Sequence, residues 1–594
     1  MLLRGTPVSI PAQEDPVATG GPPLRAPARW HERAVDASAV AALAQGAALP
    51  EPLARVLAGR GVVDVAAAEG YLAPRLQALP DPLALAGMDA AVERLEAALE
   101  RGETIGIFGD YDVDGVTSPT LLWDFLERIG ARVVATIPDR LVEGYGLSKA
   151  GVERLAAAGA TLIVTVDCGV TAHEEVDFAR DRGLDVVVID HHTVPVALPR
   201  AVSVINPHRA DCTRGSEVLC AVGVTFNLCL ALRRRLRERG RFSATRPEPD
   251  LKAALDLVAL GTVADVVPLT GENRVLVAAG VAAVRQGKRL GLRALLDVAG
   301  ARLPTVDAGT LGYQVGPRVN AAGRLGDAMQ AVALLRSTDE HHARGLAARL
   351  DRENLSRREL ERRIVDEAVR QVEGSALLRA SPVLVVGDDG WHPGVVGIVA
   401  SRLVERFGRP TVVVGEGGRG SGRSIERFHL HEGLCAVAGA ADGGGLQTFG
   451  GHAHAAGVRV RPGQLERFRE ALTEVAAARL SADDLQRVLV HDGPLELGAV
   501  DFSLCRALER AAPFGRKNAE PSFLVRGIAP VGMRTLAGGH LKATIDGARG
   551  VELIAFGAAE RAHQIGKTVD VIATPEINEF RGAQTLQLRV RDLR

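Results

Sequence analysis

Three aspartates alternate in GDYDVDG (109–115), namely Asp110, Asp112 and Asp114, with a glycine at either end. A fourth, Asp167, stands in VDCG. Asp190, His191 and His192 follow one another in IDHH, and Asp265 comes later in LGTVADVVPL. Carboxylates with imidazole suit a hard divalent ion such as Mn2+ or Mg2+ better than a thiolate-bound zinc. Gathered in one place, so many carboxylates would repel one another unless a cation compensated them. They also exceed the needs of one ion, which favours two, and ions about 4 Å apart can activate water and clamp a phosphate between them. Each motif has an ordinary reading as well. DxD loops are commonly solvated turns, an Asp after a strand is commonly a helix N-cap, and adjacent histidines commonly sit on a surface or in a core. Asp265 could cap its own turn. The coincidence of the motifs points to a metal site.

Coincidence needs a scaffold. Four apolar, β-branched runs, TIGIF (104–108), RVVATI (132–137), TLIVTV (161–166) and LDVVVI (184–189), alternate with helical stretches such as TLLWDFLERIG and EEVDFARDRG. The alternation predicts a parallel, doubly wound sheet. Ligands of such sheets bind outside the carboxyl ends of the strands, which is where the acidic motifs fall. An apolar helix is expected over 251–260, ending at Gly261. Residues 326–375, dense in Arg and Glu and free of Pro, read as helical and could connect two lobes. A second α/β lobe runs from PVLVVGDDG (382–390) to about residue 482. About five short strands with turn signals then predict a small β-barrel of the OB kind. The expected fold class is therefore α/β, with a parallel-sheet domain over 101–325. A helical connector (326–380) joins it to a smaller α/β domain (381–484), and an OB-type barrel follows (485–594). A flexible segment (1–29) and a helical region (30–100) precede them.

The 594 residues carry a net charge of −1, which excludes a nucleic-acid binder with a uniform positive coat. The charge is graded along the chain: residues 101–200 sum to −7, 201–380 to +8 and 501–594 to +4. Arg352 to Arg363 read as a solvated helix face. Six cysteines without a CxxC pair read as reduced thiols. No apolar run approaches the roughly 20 residues of a membrane span, and no signal-peptide core is evident, so the expected location is cytoplasmic.

GDYDVDG, TVDCG, DHH and GTVADVVPL resemble the four motifs of the DHH phosphoesterase superfamily, and GGHAHAAG (450–457) resembles the signature of its DHHA1 domain. EGYGLS (143–148), GPRVNAAGRLGDA (316–328), GWHPGVVGIVASRL (390–403) and the terminal FRGAQTLQLRVRDLR resemble that superfamily's single-strand-specific 5′→3′ exonuclease branch. The resemblance implies that Asp112 and Asp114 are metal ligands, with Asp110 either a third ligand or a group supporting them. Asp167 would bridge two ions, and His191 and Asp265 would complete the coordination. Asp190 would orient the histidine pair, and His192 would touch the scissile phosphate or assist the leaving oxygen. In GSGRS, Ser421 and Arg423 offer a phosphate cradle between glycines, although the string alone would read as a flexible loop. Arg318, Asn320 and His452 match strings along the substrate path, Arg318 alternatively being an ion-pair partner within the fold. Asp388 and His392 are as readily loop structure as DNA contacts.

What the resemblance implies as a whole is an exonuclease for single-stranded DNA that uses two Mn2+ (or Mg2+) ions, releases 5′-mononucleotides and serves repair and recombination. It would be a monomer, with a single-stranded-DNA-binding protein and a recombination helicase as partners and no membrane. PFGRKNAEP (513–521) departs from the family pattern by carrying two cations where a glycine-containing turn is usual, and Asn227 stands where Lys is common. One rival is a DHH phosphodiesterase for short oligoribonucleotides or cyclic dinucleotides, relatives that generally lack the terminal OB segment. The other is an inactive DNA-binding scaffold, which loss of ligand residues would mark.

Overall fold

The computed structural model describes residues 28–594 except 141, 217, 441, 549 and 581. The flexible segment expected over 1–29 lies outside the described residues but for its last two. Arg29 opens the strand Arg29–Glu32, which runs parallel to Val488–His491.

Five parallel strands stand in the order Arg132–Thr136, Thr104–Phe108, Ala160–Val166, Asp185–Ile189 and Ser203–Ile205. The first four arise from the β-branched runs, whose continuous apolar character suits strands covered by helices on both faces. The fifth is three residues long, too short for periodicity to reveal. Winding reverses between Thr104–Phe108 and Ala160–Val166, which are first and third in the chain but adjacent in the sheet. The loops leaving two such strands diverge and open a crevice between them, and these loops carry Asp110–Asp114 and Asp167.

The helix expected to stop at Gly261 instead runs from Leu255 to Ala264. Gly261 marks its closest approach to the helix Val113–Arg128. A Cβ there would lie 2.3 Å from Thr117 Oγ1, 2.8 Å from Val222 Cγ1 and 3.0 Å from Asp114 Oδ1. The glycine thus lets the helix that ends at Asp265 approach the one that carries Asp114. Gly261→Ala is expected to cost about 1–3 kcal/mol through overpacking, read by denaturant unfolding, and to lower activity by displacing Asp265.

The connector contains a single 35-residue helix, Glu340–Gly374. Ala343, Ala347 and Leu350 at one end belong to the core of the parallel-sheet domain. Ile364, Ala368 and Val372 belong to that of the second lobe. Between these anchors the buried stripe turns polar. Arg357 donates to Asn354 (2.8 Å) and Glu361 (3.0 Å), and Arg402 closes on Glu361 (3.0 Å). Arg357 and Glu361 are buried, so the face read as solvated over Arg352 to Arg363 is only partly so.

The second lobe is a five-stranded mixed sheet ordered Leu446–Gly451, Ala455–Val460, Arg419–Arg423, Thr411–Val414 and Leu384–Gly387. GSGRS is therefore largely strand rather than loop, lying between two neighbours. Its glycines answer to packing: a Cβ on Gly420 would meet Val458, and one on Gly422 would meet Leu430, each at 2.7 Å.

The terminal barrel has the predicted OB character. The run predicted as one strand divides into Phe523–Ile528 and Pro530–Leu536, which pair at opposite edges of one six-stranded sheet. The four other strands lie between them, and Val551–Ala555 runs parallel to Ala583–Leu593. Residues 485–522, grouped with the barrel in the sequence reading, fall outside its strands. They contain Val488–His491, paired with Arg29–Glu32, and the helix Phe502–Glu509.

Candidate metal centre

Asp110 leaves the first strand and is buried. Asp112 caps the next helix, accepting from the Gly115 amide at 2.9 Å. Asp114, in the first turn of that helix, accepts from the Ala221 amide (2.7 Å) and the Val222 amide (2.9 Å) at the start of the helix Ala221–Glu238. That helix N-terminus favours its negative charge. Asp167 adopts φ 64, a left-handed conformation that Asp tolerates better than most residues. Its backbone is held on both sides, its amide donating to Ile189 O (3.0 Å) and its carbonyl accepting from Tyr145 Oη (3.3 Å).

These carboxylates converge on His191. Its Nε2 lies 3.2 Å from Asp167 Oδ1, 3.7 Å from Asp265 Oδ2 and 3.9 Å from Asp114 Oδ2. Ligand atoms of Asp110, Asp112 and Asp167 form one compact group, and those of Asp114, His191 and Asp265 another. Asp110 Oδ1, Asp167 Oδ1, His191 Nε2 and Asp265 Oδ2 are buried without a hydrogen-bond partner. Burial, then the charge of Asp112, pushes the Asp110 carboxyl up to about 8 and that of Asp114 to about 7. Asp167 and Asp265 are pushed well above the usual range for the same kind of reason, burial foremost and neighbouring carboxylates next. Burial pushes His191 down to about 3, which leaves a neutral imidazole able to ligate. Orphaned oxygens and one neutral imidazole, crowded and repelling, fit two hard cations. Cys168 and Cys220 are buried beside them, and burial and nearby aspartates push both thiols up.

The histidine pair divides its work. The Asp190 carboxylate accepts from the amides of Val170 (3.0 Å), His191 (2.7 Å) and His192 (3.1 Å), and of the two imidazole rings it meets that of His192, at 2.7 Å from Nδ1. Burial alone would lower His192; the hydrogen bond and charge of Asp190 outweigh it and raise it. Asp190 therefore orients the ring of His192 and fixes only the backbone of His191.

Because burial and mutual repulsion raise the proton affinity of Asp110, Asp114, Asp167 and Asp265 without a cation, metal binding should release protons. In the metal-free protein the folded pKa values of Asp110 and Asp114 lie above their unfolded values, so the native state binds more protons than the unfolded one. Its stability should then fall as pH rises from about 4 to about 8. The increase in Tm produced by Mn2+ should grow across the same window; thermal melts in EDTA and in Mn2+ check this. An increment independent of pH would contradict it.

Residues 104–262 match the DHH family, N-terminal domain; 380–478 match the DHHA1 domain; 491–592 match the RecJ OB domain. A single-stranded-DNA-specific exonuclease RecJ from Dickeya dadantii is 40% identical over 561 residues, 92% of this chain and 96% of the relative. The chain belongs to the RecJ family. RecJ of Escherichia coli is 38% identical over 563 residues, again 92% of this chain and 96% of the relative. The crystal structure of Thermus thermophilus RecJ in complex with Mn2+ is similar with a TM-score of 0.80 and 31% identity, covering 95% of this chain and 79% of that one.

The substrate-path residues read from the RecJ-like strings are placed less uniformly than the acidic set. Arg318 donates to Asp351 (2.9 Å) and to Gln314 O (2.6 Å), so it is an ion-pair partner within the fold. Asn320 is half-buried on the same helix, and His452 is exposed at a hairpin turn. Asp388 and His392 accept from the amides of Gly390 (2.8 Å) and Gly394 (3.0 Å), each holding its own turn. Arg423 donates to Ser421 Oγ at 3.0 Å.

The structure adds cations that the sequence reading did not single out. A cavity of about 340 Å³ is lined by Tyr111, Arg140 and Arg324 among others, with the Arg140 guanidinium 4.7 Å above the Tyr111 ring. Burial, then the charges of Arg140, Arg357 and Arg423, pushes Arg324 down to about 10. Burial and Arg140 likewise push Arg423 down. Arg140 in turn favours the ionised form of Asp110. Arg140, Arg324 and Arg423 thus form a cationic group beside the acidic one. Arg324 is six residues beyond Arg318, about 240° further round the helix, so the two point to different surroundings. Tyr145, in EGYGLS, was also missed. Its hydroxyl lies 3.2 Å from His192 Nδ1, and no local spacing links it to Asp167 or His192.

Proposed function

We propose that the chain is a two-metal exonuclease that degrades single-stranded DNA from its 5′ end and releases 5′-mononucleotides. The supporting observation is a pair of buried acidic groups, with unpartnered ligand atoms, beside a cavity to which Arg140 and Arg324 contribute, in a member of the RecJ family. Asp110, Asp112 and Asp167 would hold one ion, and Asp114, His191 and Asp265 the other, with Asp167 close enough to His191 to be shared. Relatives have been crystallised with Mn2+ and with Mg2+, and either ion suits this donor set. Such ions supply Lewis acidity to the scissile phosphate and make water nucleophilic at neutral pH.

The protein's own residues do the rest. Asp190 raises and orients His192, which then holds a proton at the edge of the site for a phosphate oxygen or the leaving oxygen. Tyr145 steadies that ring. Arg140, Arg324 and Arg423 neutralise the 5′-terminal phosphate and set the end from which the strand is consumed, with Ser421 beside Arg423. Residues 101–325 would carry the chemistry, 381–484 the second wall of the path, and the barrel strands from Phe523 onward would present the strand. Among the described residues no helix is long and apolar enough to cross a membrane. A cytoplasmic monomer working with a single-stranded-DNA-binding protein and a recombination helicase completes the reading.

Mn2+-dependent digestion of 5′- and 3′-labelled single strands, duplex DNA, RNA and cyclic dinucleotides tests it. The expected result is a 5′ label released from single-stranded DNA as a mononucleotide. Activity confined to cyclic dinucleotides, or a 3′ label released first, would overturn it. Arg324→Ala should raise KM for a 5′-phosphorylated strand by about tenfold or more, the worth of a charge-assisted hydrogen bond, and affect a 5′-hydroxyl strand less.

A further inference from the structure

The fold places PFGRKNAEP (513–521) against the segment that follows Asp265. Residues 515–518 close a two-residue turn, with Gly515 N donating to Asn518 O (2.9 Å) and Asn518 N to Gly515 O (3.1 Å). Arg516 and Lys517 occupy its tip, and both are exposed. The base is rigid. Asn518 is fully buried, donates to Ala511 O (3.0 Å) and Pro513 O (2.7 Å), and accepts from Tyr71 Oη (2.7 Å). Buried Arg274 ties down the same segment through Ala511 O (2.9 Å) and Ala512 O (2.7 Å).

The turn docks on the segment that directly follows Asp265. Leu269 N donates to Arg516 O at 2.9 Å, and a Cβ on Gly515 would lie 2.7 Å from Leu269 Cδ1. Both partners are strained at the contact. Lys517 sits at φ 62 and Val266, a β-branched residue, at φ 59, conformations in which glycine or asparagine would rest more easily. A long cationic side chain does nothing for such a turn. Among the described residues the only hydrogen bond of the Arg516 guanidinium is a 3.4 Å one to Val266 O. Val266 directly follows Asp265, so the guanidinium stands beside the segment that carries this ligand. Asp265 belongs to one ligand group, and Tyr111, under the Arg140 guanidinium, lies between Asp110 and Asp112 of the other, so cations stand at both ends of the centre.

We propose that Arg516 and Lys517 form a second phosphate-binding site for the nucleic-acid strand, at the Asp265 end of the metal centre and away from the Arg140 group. It rests on the single-strand reading above and deepens it. A polynucleotide lying across the centre presents phosphates on both sides of the scissile one. The Arg140 group takes the 5′ end, and the turn takes the backbone on the 3′ side, where contact is independent of base sequence.

The test uses the full chain with Mn2+ and a phosphorothioate-linked single-stranded oligonucleotide that resists hydrolysis, with affinity followed against salt. Lys517→Asn removes a charge and relieves the backbone; Arg516→Gln removes the other. Each should weaken binding by roughly fivefold at 0.1 M salt and make the slope of log K against log salt shallower by about 0.7. In digestion, KM should rise with kcat kept. The Tm of Lys517→Asn should be unchanged or higher, and Arg516→Lys should restore the salt slope. Unchanged affinity and slope in the double variant, beside a wild type that binds and digests the strand, would overturn this proposal alone. A wild type that neither binds nor digests single strands would overturn the functional reading and this proposal with it.

Discussion

Asp167→Asn should lower kcat by about a thousandfold or more while raising the melting temperature of the metal-free protein. Asp167 touches both ligand groups, through Asp110 and Asp112 on one side and His191 on the other. Losing its charge removes a shared ligand, and metal-borne stabilisation of a phosphoryl transition state is worth several kcal/mol, or about tenfold per 1.36 kcal/mol. Without metal the same carboxylate is a burden. It is buried, has an unpartnered oxygen and is pushed well above its ordinary pKa by burial and by Asp112, Asp114, Asp265 and Asp110. Asparagine keeps the shape and tolerates φ 64, so the fold loses only the repulsion. Kinetics in saturating Mn2+ and a melt in EDTA check the two halves separately. Full activity, or a lower metal-free Tm, would count against the assignment.

Glu272→Ala should destabilise the protein by about 3–5 kcal/mol, the usual loss when one partner of a buried ion pair is removed. Arg214 is 2% exposed and Glu272 8%, with Arg214 Nη2 2.8 Å from Glu272 Oε2. Ser216 also donates to Glu272, and Asn273 to Val218 O. Together they pin the loop that leads to Ala221 and Val222, whose amides grip Asp114. The effect should therefore reach the site as a raised Mn2+ requirement. Glu272→Gln, which can still accept from Arg214, should lose less on both counts. Denaturant unfolding and Mn2+ titration of activity measure them, and a loss under about 1 kcal/mol would show the pair to be dispensable. The network also accounts for Asn227, which accepts from Arg214 at 3.0 Å, so a cation from the loop occupies this neighbourhood.

The acidic motifs were readable because a parallel sheet converts strand ends into neighbours. β-branched runs announce the strands, and the reversal of winding puts Asp110–Asp114 beside Asp167. What local patterns could not reveal is contact between distant segments. Gly261 read as a helix stop, because a glycine demanded by Thr117 and Asp114 looks the same in sequence as one that ends a helix. GSGRS, read as a phosphate cradle, would on its own pass for a flexible loop, because glycines required by Val458 and Leu430 resemble glycines left free. Arg324 is not legible from the string that contains both it and Arg318, because a string does not carry the helical angle that turns the two toward different surroundings. Tyr145 and Arg140 reach the site only through loops whose path periodicity does not encode.

The central claim is that these residues bind two divalent ions side by side. Diffraction from crystals grown with Mn2+, recorded at the manganese edge, measures that directly. The prediction is two anomalous peaks about 4 Å apart, one contacted by Asp110, Asp112 and Asp167 and the other by Asp114, His191 and Asp265, with at least one lost in Asp167→Asn. A single peak in the wild type, or manganese bound away from His191 and Asp167, would contradict it.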